Sequence, residues 1–394
     1  MHLLKFSAAL SLPLCALAAE VTPKFEAQTI DDKISIGYGL AIGDMDGDGK
    51  PDILLADAKE FVWYKNPTWE KHTFAKLPGP RDNVCLAAQD IDGDGRVEIA
   101  VGGNWNPGET TDEALSGSVH YLIRPKEANA LWTPVELPHE PTVHRMRWVQ
   151  DAKKAWSLVV LPLHGRGNKD GAGEHGVKVQ AYRSGKNRAD AKAWKVQTLN
   201  ESLHVTHNFD VRSNGKDMVI GGKEAVLVGK LGGDLRQLTL PDAPESPLPL
   251  RAFAGVGEIR WMGVAEYDLA AIEPFHGNIL AAYHMHPWSG SYTRAILDDQ
   301  LAQGHGLGTA DFIGSKSWQI VAGWREPNAA GKFGIKIYWK AADGKWTNAW
   351  VDENKMACED LKIADLNGDG KPDIIASGRS TKNVVIYWNR TETP

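Results

Sequence analysis

Two groups of residues in this sequence have types and spacings suited to chemistry. The first is acidic: Asp44-Met-Asp46-Gly-Asp48-Gly-Lys-Pro-Asp52 recurs as Asp90-Ile-Asp92-Gly-Asp94-Gly-Arg-Val-Glu98 and as Asp365-Leu-Asn367-Gly-Asp369-Gly-Lys-Pro-Asp373. Oxygen ligands at the first, third, fifth and ninth positions, with glycines that let the backbone bend round a cation, suit Ca²⁺. Apolar stretches on both sides, such as Leu40-Ala-Ile before and Ile53-Leu-Leu after, predict a β-turn and not the flanking helices of an EF-hand. Up to three structural calcium ions are expected, acting as staples and not as a sensor. The second group is imidazole: six of the 13 histidines, His144, His164, His204, His207, His276 and His305, fall in equivalent places of a repeat. Neutral imidazoles converging from separate elements can hold Zn²⁺ or another divalent metal and leave a position open for substrate.

The elements that position these groups are strands. An aromatic or large apolar residue followed by alternating polar and apolar positions occurs seven times, from Phe25-Glu-Ala-Gln-Thr-Ile to Trp346-Thr-Asn-Ala-Trp-Val. A β-branched run precedes each of the last six, and a further run, Val384-Val-Ile-Tyr-Trp, ends the chain without its partner. The orphan first phrase and the orphan last strand complete each other if the chain closes into a ring. An all-β fold is therefore expected: a seven-bladed β-propeller of four-stranded blades with a repeat of about 53 residues, closed by the N-terminal strand joining the last blade. Residues 20–394 form one domain in this reading. The acidic loops fall in blades seven, one and two, around the closure, where they would fasten the ring.

In each blade the innermost strand runs down to the acidic turn and the second runs back, so the opposite face is where side chains converge. Six residues before each loop aspartate or its equivalent stand Tyr38, His204, His305 and Glu359. His144-Arg-Met-Arg147 and Gly257-Glu258 are placed by analogy in blades three and five. The ends of second strands add Trp105, His164, His276, Trp324 with Arg325, and Arg379. Trp105, Trp288 and Trp324 follow strand ends and are candidates for stacking on a sugar ring. His284-Met-His286 has a metal-binding spacing but is read as structural.

Residues Met1 to Ala19 read as a secretory signal, with Lys5, an apolar run from Phe6 to Leu17 and a small-residue exit. A secreted or periplasmic protein is expected, with no membrane span. The net charge of −6 and the lack of a basic stripe argue against nucleic acid as a partner. Cys85 and Cys358 start strands two blades apart, too far for a disulfide. A monomer is expected.

The acidic loops resemble the FG-GAP or VCBS type of propeller repeat. Gly102-Gly-Asn-Trp-Asn-Pro-Gly-Glu, Ile272-Glu-Pro-Phe-His-Gly-Asn and Gly304-His-Gly-Leu-Gly-Thr-Ala-Asp311 with Ala322-Gly-Trp-Arg resemble the propeller domain of aldos-2-ulose dehydratases. They are similar also to seven-bladed polysaccharide lyases that cleave next to a uronic acid. The resemblance implies β-elimination on a uronate-containing glycan or a keto-sugar. That chemistry needs a base, a positive group for the developing enolate and an acid for the departing oxygen. His204, His207 or His305 would be the base, Arg325 and Arg147 or a bound metal the charge neutraliser, and Tyr38 the acid. His276, His144 and His164 would be metal ligands or clamp the substrate, with Glu258, Glu359, Trp105, Trp324 and Arg379 lining the site. The competing reading is a non-catalytic, calcium-stabilised propeller that binds a glycan or a protein.

Overall fold

A computed structural model describes residues 21–127, 130–169, 173–239, 246–263 and 268–392. The secretory-signal reading of residues 1–19 lies outside them. Seven antiparallel sheets of four strands each are present. Their innermost strands are Gly39–Gly43, Cys85–Gln89, Val143–Gln150, Thr206–Val211, Glu258–Met262, Gly304–Ala310 and Cys358–Ala364, in blades one to seven. Each innermost strand packs on the next, and the seventh packs on the first, so the ring is complete. Among the described residues the one helical element is a single 3-10 turn, Ala191–Ala193, and none is long and apolar enough to cross a membrane.

The strand sequences explain the blades. Second strands such as Asp52–Ala56 (DILLA) and Gln319–Trp324 (QIVAGW) are buried throughout because each is covered on both faces by neighbouring blades. Outer strands alternate or are exposed, as in Phe25–Asp31 (FEAQTID). The apolar core is accordingly a set of clusters between blades; one joins Val84, Leu158 and Trp194 across blades two and three. Buried Cys85 and Cys358 are both free thiols.

Closure follows the expectation. Phe25–Asp31 pairs antiparallel with Val384–Asn389, from Phe25 opposite Asn389 to Asp31 opposite Val384. The acidic turns reach across blade boundaries. Asn66 Nδ2 of blade one donates to the Leu366 carbonyl in the blade-seven turn at 2.7 Å. Arg124 of blade two donates to the Met45 carbonyl in the blade-one turn, and Val97 N donates to the Asp44 carbonyl at 2.9 Å. Each turn is thus part of the joint to its neighbour as well as the end of its own hairpin.

Candidate active site at the histidine mouth

The innermost strands of four blades carry a β-bulge near their first residues, and the bulge decides which side chain faces the axis. In blade three the register skips between Val143 and Arg145, leaving His144 unpaired. Blade six skips between Gly304 and Gly306 at His305, and blade seven between Cys358 and Asp360 at Glu359. In blade four the irregularity spans Thr206 to Phe209 and contains His207 and Asn208. A bulged residue leaves the ladder, so its side chain is re-aimed and its carbonyl is free to accept another donor.

Two of the freed carbonyls are taken by the preceding blade. His144 Nδ1 bonds the His207 carbonyl at 2.8 Å, and His305 Nδ1 bonds the Glu359 carbonyl. His207 Nδ1 repeats the pattern on the Gly257 carbonyl at 3.2 Å, with Glu258 Oε1 also 3.2 Å away. A carbonyl only accepts, so these three rings carry their proton on Nδ1 and present a bare Nε2. His276, at the end of a second strand in blade five, supplies the fourth ring. Ring centroids lie 4.5 Å apart for His144 and His207, 4.5 Å for His207 and His276, and 4.9 Å for His276 and His305.

His276 Nε2 stands 2.6 Å from His207 Nε2. His207 Nε2 is bare, so His276 donates and its own Nδ1 accepts, in keeping with Arg325 Nη2 at 3.5 Å. Ring nitrogens of His207, His276 and His305 lie within 4.8 Å of one another and can hold one metal ion. Burial is the chief cause that keeps all four imidazoles below their ordinary range, His276 down to about 2. They are therefore neutral at pH 7, with lone pairs available to a metal or a proton.

A continuous set of polar contacts runs from this cluster across the opening. Arg325 pairs with Glu359 at 2.7 Å, Glu359 with Arg379 at 2.9 Å, and the Arg379 guanidinium lies 5.5 Å from the centre of the Tyr38 ring. The Tyr38 hydroxyl donates to Asp82 at 3.3 Å. Burial, then the Asp82 charge, pushes the Tyr38 phenol up to about 12, so it stays protonated. Two guanidiniums share the Glu359 carboxylate, which leaves one positive charge over for an anionic substrate.

Several expected residues stand elsewhere. His204 turns to Glu224 at 3.3 Å, on the loop before its strand, and does not join the other rings. Trp324 is 1% exposed, packed on Trp350 with its indole N–H given to the Lys332 carbonyl, and offers no face to a sugar. Trp105 stacks on His144 at 5.1 Å, so one of its faces is occupied. Trp288 tips the hairpin between third and fourth strands, on the acidic-turn side. Arg147 lies further down the channel, its Nε on the Phe209 carbonyl at 2.7 Å, away from the histidines. His164 is held at the rim by its backbone, beside Thr142 and Val205. Glu258 is 1% exposed and shared among His207, Asn208 and Arg260, which makes it a positioning group. Despite its burial, Arg260 and His207 hold its carboxyl well below the usual range. Asp82, Gln303, Asn208 and the bulge carbonyls were not anticipated. Asp82 and Gln303 carry no motif, and a carbonyl leaves no mark in a sequence.

On the opposite face the three acidic turns share one geometry. Asp44 accepts from the Gly47 and Gly49 amides, Asp90 from Gly93 and Gly95, and Asp365 from Gly368 and Gly370. All six glycines have positive φ, from 74° to 87°. Asp44, Asp46 and Asp48 gather within 4.8 Å, as do Asp90, Asp92 and Asp94. In blade seven Asn367 replaces one carboxylate beside Asp365 and Asp369. The ninth positions are pulled inward: Asp52 accepts from Met45 N and Asn66 N, Glu98 from Ile91 N, and Asp373 from Leu366 N and Asn389 N. They brace the turn first and can join a cation only through remaining lone pairs.

No curated protein matches the sequence. Among solved structures the fold is similar to a chain in the crystal structure of the mitotic checkpoint complex, with 11% identity and a TM-score of 0.57, covering 100% of this chain and 99% of that one. It is similar also to the WD40 β-propeller domain of Doa1, with 10% identity and a TM-score of 0.54, covering 92% and 97%. These likenesses concern fold alone. Residues 44–101, which span the first acidic turn to the second strand of blade two, match the FG-GAP-like repeat. The chain is a seven-bladed β-propeller that carries an FG-GAP-like repeat across the joint of its first two blades.

Proposed function

We propose that the protein is an exported carbohydrate-active lyase working by β-elimination on a uronate-containing glycan or a keto-sugar, with the histidine mouth as its reactive centre. The observation that carries this reading is the set of converging imidazoles, three with Nε2 bared by Nδ1 bonds, beside two guanidiniums that share one carboxylate. The reaction removes the proton α to the substrate carboxylate or carbonyl and expels the oxygen on the β-carbon, leaving a carbon–carbon double bond. Arg325 and Arg379 hold the carboxylate and balance the charge that develops on it. His276 is the half-buried ring at the opening. Arg325 Nη2, 3.5 Å from His276 Nδ1, turns to the substrate carboxylate and frees that nitrogen; as Nδ1 takes the substrate proton, the Nε2 proton moves to His207 Nε2, 2.6 Å away, and Glu258 balances the imidazolium. Tyr38, kept protonated, supplies the proton for the leaving oxygen.

The donor set also fits a divalent metal such as Zn²⁺. His207, His276 and His305 would hold it through ring nitrogens, two of them already oriented by carbonyls on Nδ1. A bound metal would polarise the substrate carboxylate as a Lewis acid. The acidic turns are read as structural Ca²⁺ sites. The test is ultraviolet detection of unsaturated sugar products from a panel of uronate-containing glycans. A rise in absorbance with at least one glycan is expected; flat traces across the panel, with folded protein and Zn²⁺ supplied, would leave the non-catalytic binding propeller as the better account.

A further inference from the structure

Arg147, displaced from the mouth, leads to a second chamber. It lies at the acidic-turn end of the channel, where the innermost strands of blades one, two, three and seven end and the blade-four turn closes over them. The volume is about 550 Å³. Among the described residues its charged lining is Arg147, Lys362 and Arg212, the last already engaged with Asp217 at 3.6 Å. An adjoining cavity of about 270 Å³ shares those three cations and adds Arg260 against one acid, Asp210. Among the described residues, Arg147, Lys362 and Arg260 line the two walls with Asp210 as the one carboxylate, apart from the engaged Arg212.

The acids that balance these cations sit behind the walls or are spoken for. Both oxygens of Asp360 lie on Lys362 Nζ, at 2.8 and 2.7 Å, and the same carboxylate accepts from Leu40 N and Leu361 N. Arg147 uses Nε on the Phe209 carbonyl, while its Nη2 stands 3.9 Å from Asp210, beyond hydrogen-bond length. Trp148 also lines the larger chamber, is 6% exposed, and its indole N–H has no partner. That nitrogen is itself buried, so the charged donors Arg147 and Lys362 are what the chamber presents, beside the neutral polar groups of Gln89, Gln150 and Asn214. Burial, outweighing Asp360, pushes the Lys362 amine down to about 8, which an anion beside it would reverse.

We propose that this chamber is a second binding site, separate from the histidine mouth, for a small oxyanion bearing carboxylate or phosphate groups. Arg147 and Lys362 supply charge, and Ser213 stands at the rim. Both cavities touch Ser213, which is exposed in the turn and makes none of the bonds that hold it.

The test is isothermal titration of the full chain with inorganic phosphate and, separately, with succinate. Wild-type, Ser213→Glu, Lys362→Gln and His276→Ala proteins are compared. Saturable one-to-one binding of at least one anion is expected, weakened about tenfold or more by Ser213→Glu and Lys362→Gln. His276→Ala leaves it unchanged. Ser213→Glu keeps the test valid should Lys362→Gln fail to fold. No saturable heat from either anion up to about 10 mM, a range of weak affinity, would overturn the proposal. So would binding that survives Ser213→Glu, or binding lost in His276→Ala, which would put the anion at the opposite mouth.

Discussion

Removing calcium should loosen the ring at its joints. Each of two turns holds three carboxylates within 4.8 Å, and the blade-seven turn holds Asp365 and Asp369 beside Asn367. Like charges so close repel unless a cation stands between them. For a site with a dissociation constant of about 0.1 mM, in the range of extracellular modules, 10 mM Ca²⁺ adds about 2.7 kcal/mol of stability. Three independent sites add about 8 kcal/mol. A domain of about 370 residues unfolds with an entropy of roughly 0.8 kcal/mol per kelvin, so Tm should rise by about 10 °C. Differential scanning calorimetry in 10 mM Ca²⁺ against a chelator reads the shift. Asp94→Asn, whose residue has an exposed ion pair with Arg96, should remove about a third of it. Equal melting with and without Ca²⁺, or full replacement of Ca²⁺ by Mg²⁺, would refute the reasoning.

Three further outcomes are expected. Gly306→Ala puts a Cβ 2.4 Å from Cys358 Sγ, so denaturant unfolding should show a loss of about 1–3 kcal/mol, part of it recovered by adding Cys358→Ala. Glu258→Ala leaves Arg260 buried beside no carboxylate at its present 3.0 Å contact and should cost about 3–5 kcal/mol in the same assay. Burial pushes His120 down to about 4 from its ordinary value near 6.5. The folded state holds this ring neutral, so the stability it contributes is present above pH 6.5 and is lost as pH falls towards 4. That is about 3 kcal/mol, and His120→Gln should flatten the acid limb of the stability profile, checked by urea midpoints across that range.

Much of the architecture was legible because a repeat writes itself in the sequence several times. The orphan Phe25 phrase and the unpartnered Val384 run could belong together only in a closed ring, and they pair. The three acidic turns were legible for the same reason. The mouth was harder to read. Counting six residues back from Asp210 selected His204, but Asp210 is still inside its strand, and the turn begins at Arg212. Counting from Ser213 selects His207. The bulges at His144, His305 and Glu359 have no sequence mark, since they arise from how blades meet and not from local propensity. Trp324 misled because an aromatic residue at a strand end reads alike whether it faces solvent or, as here, Trp350. Arg147 misled because the three residues from His144 carry it about 10 Å down the channel, past the mouth.

The most direct test of the reactive mouth is the rate of unsaturated-product formation by His276→Ala on a glycan that wild-type protein cleaves. The change should lower the rate about a hundredfold or more with glycan affinity unaltered, as loss of a positioned proton acceptor requires. An undiminished rate in His276→Ala would contradict the account.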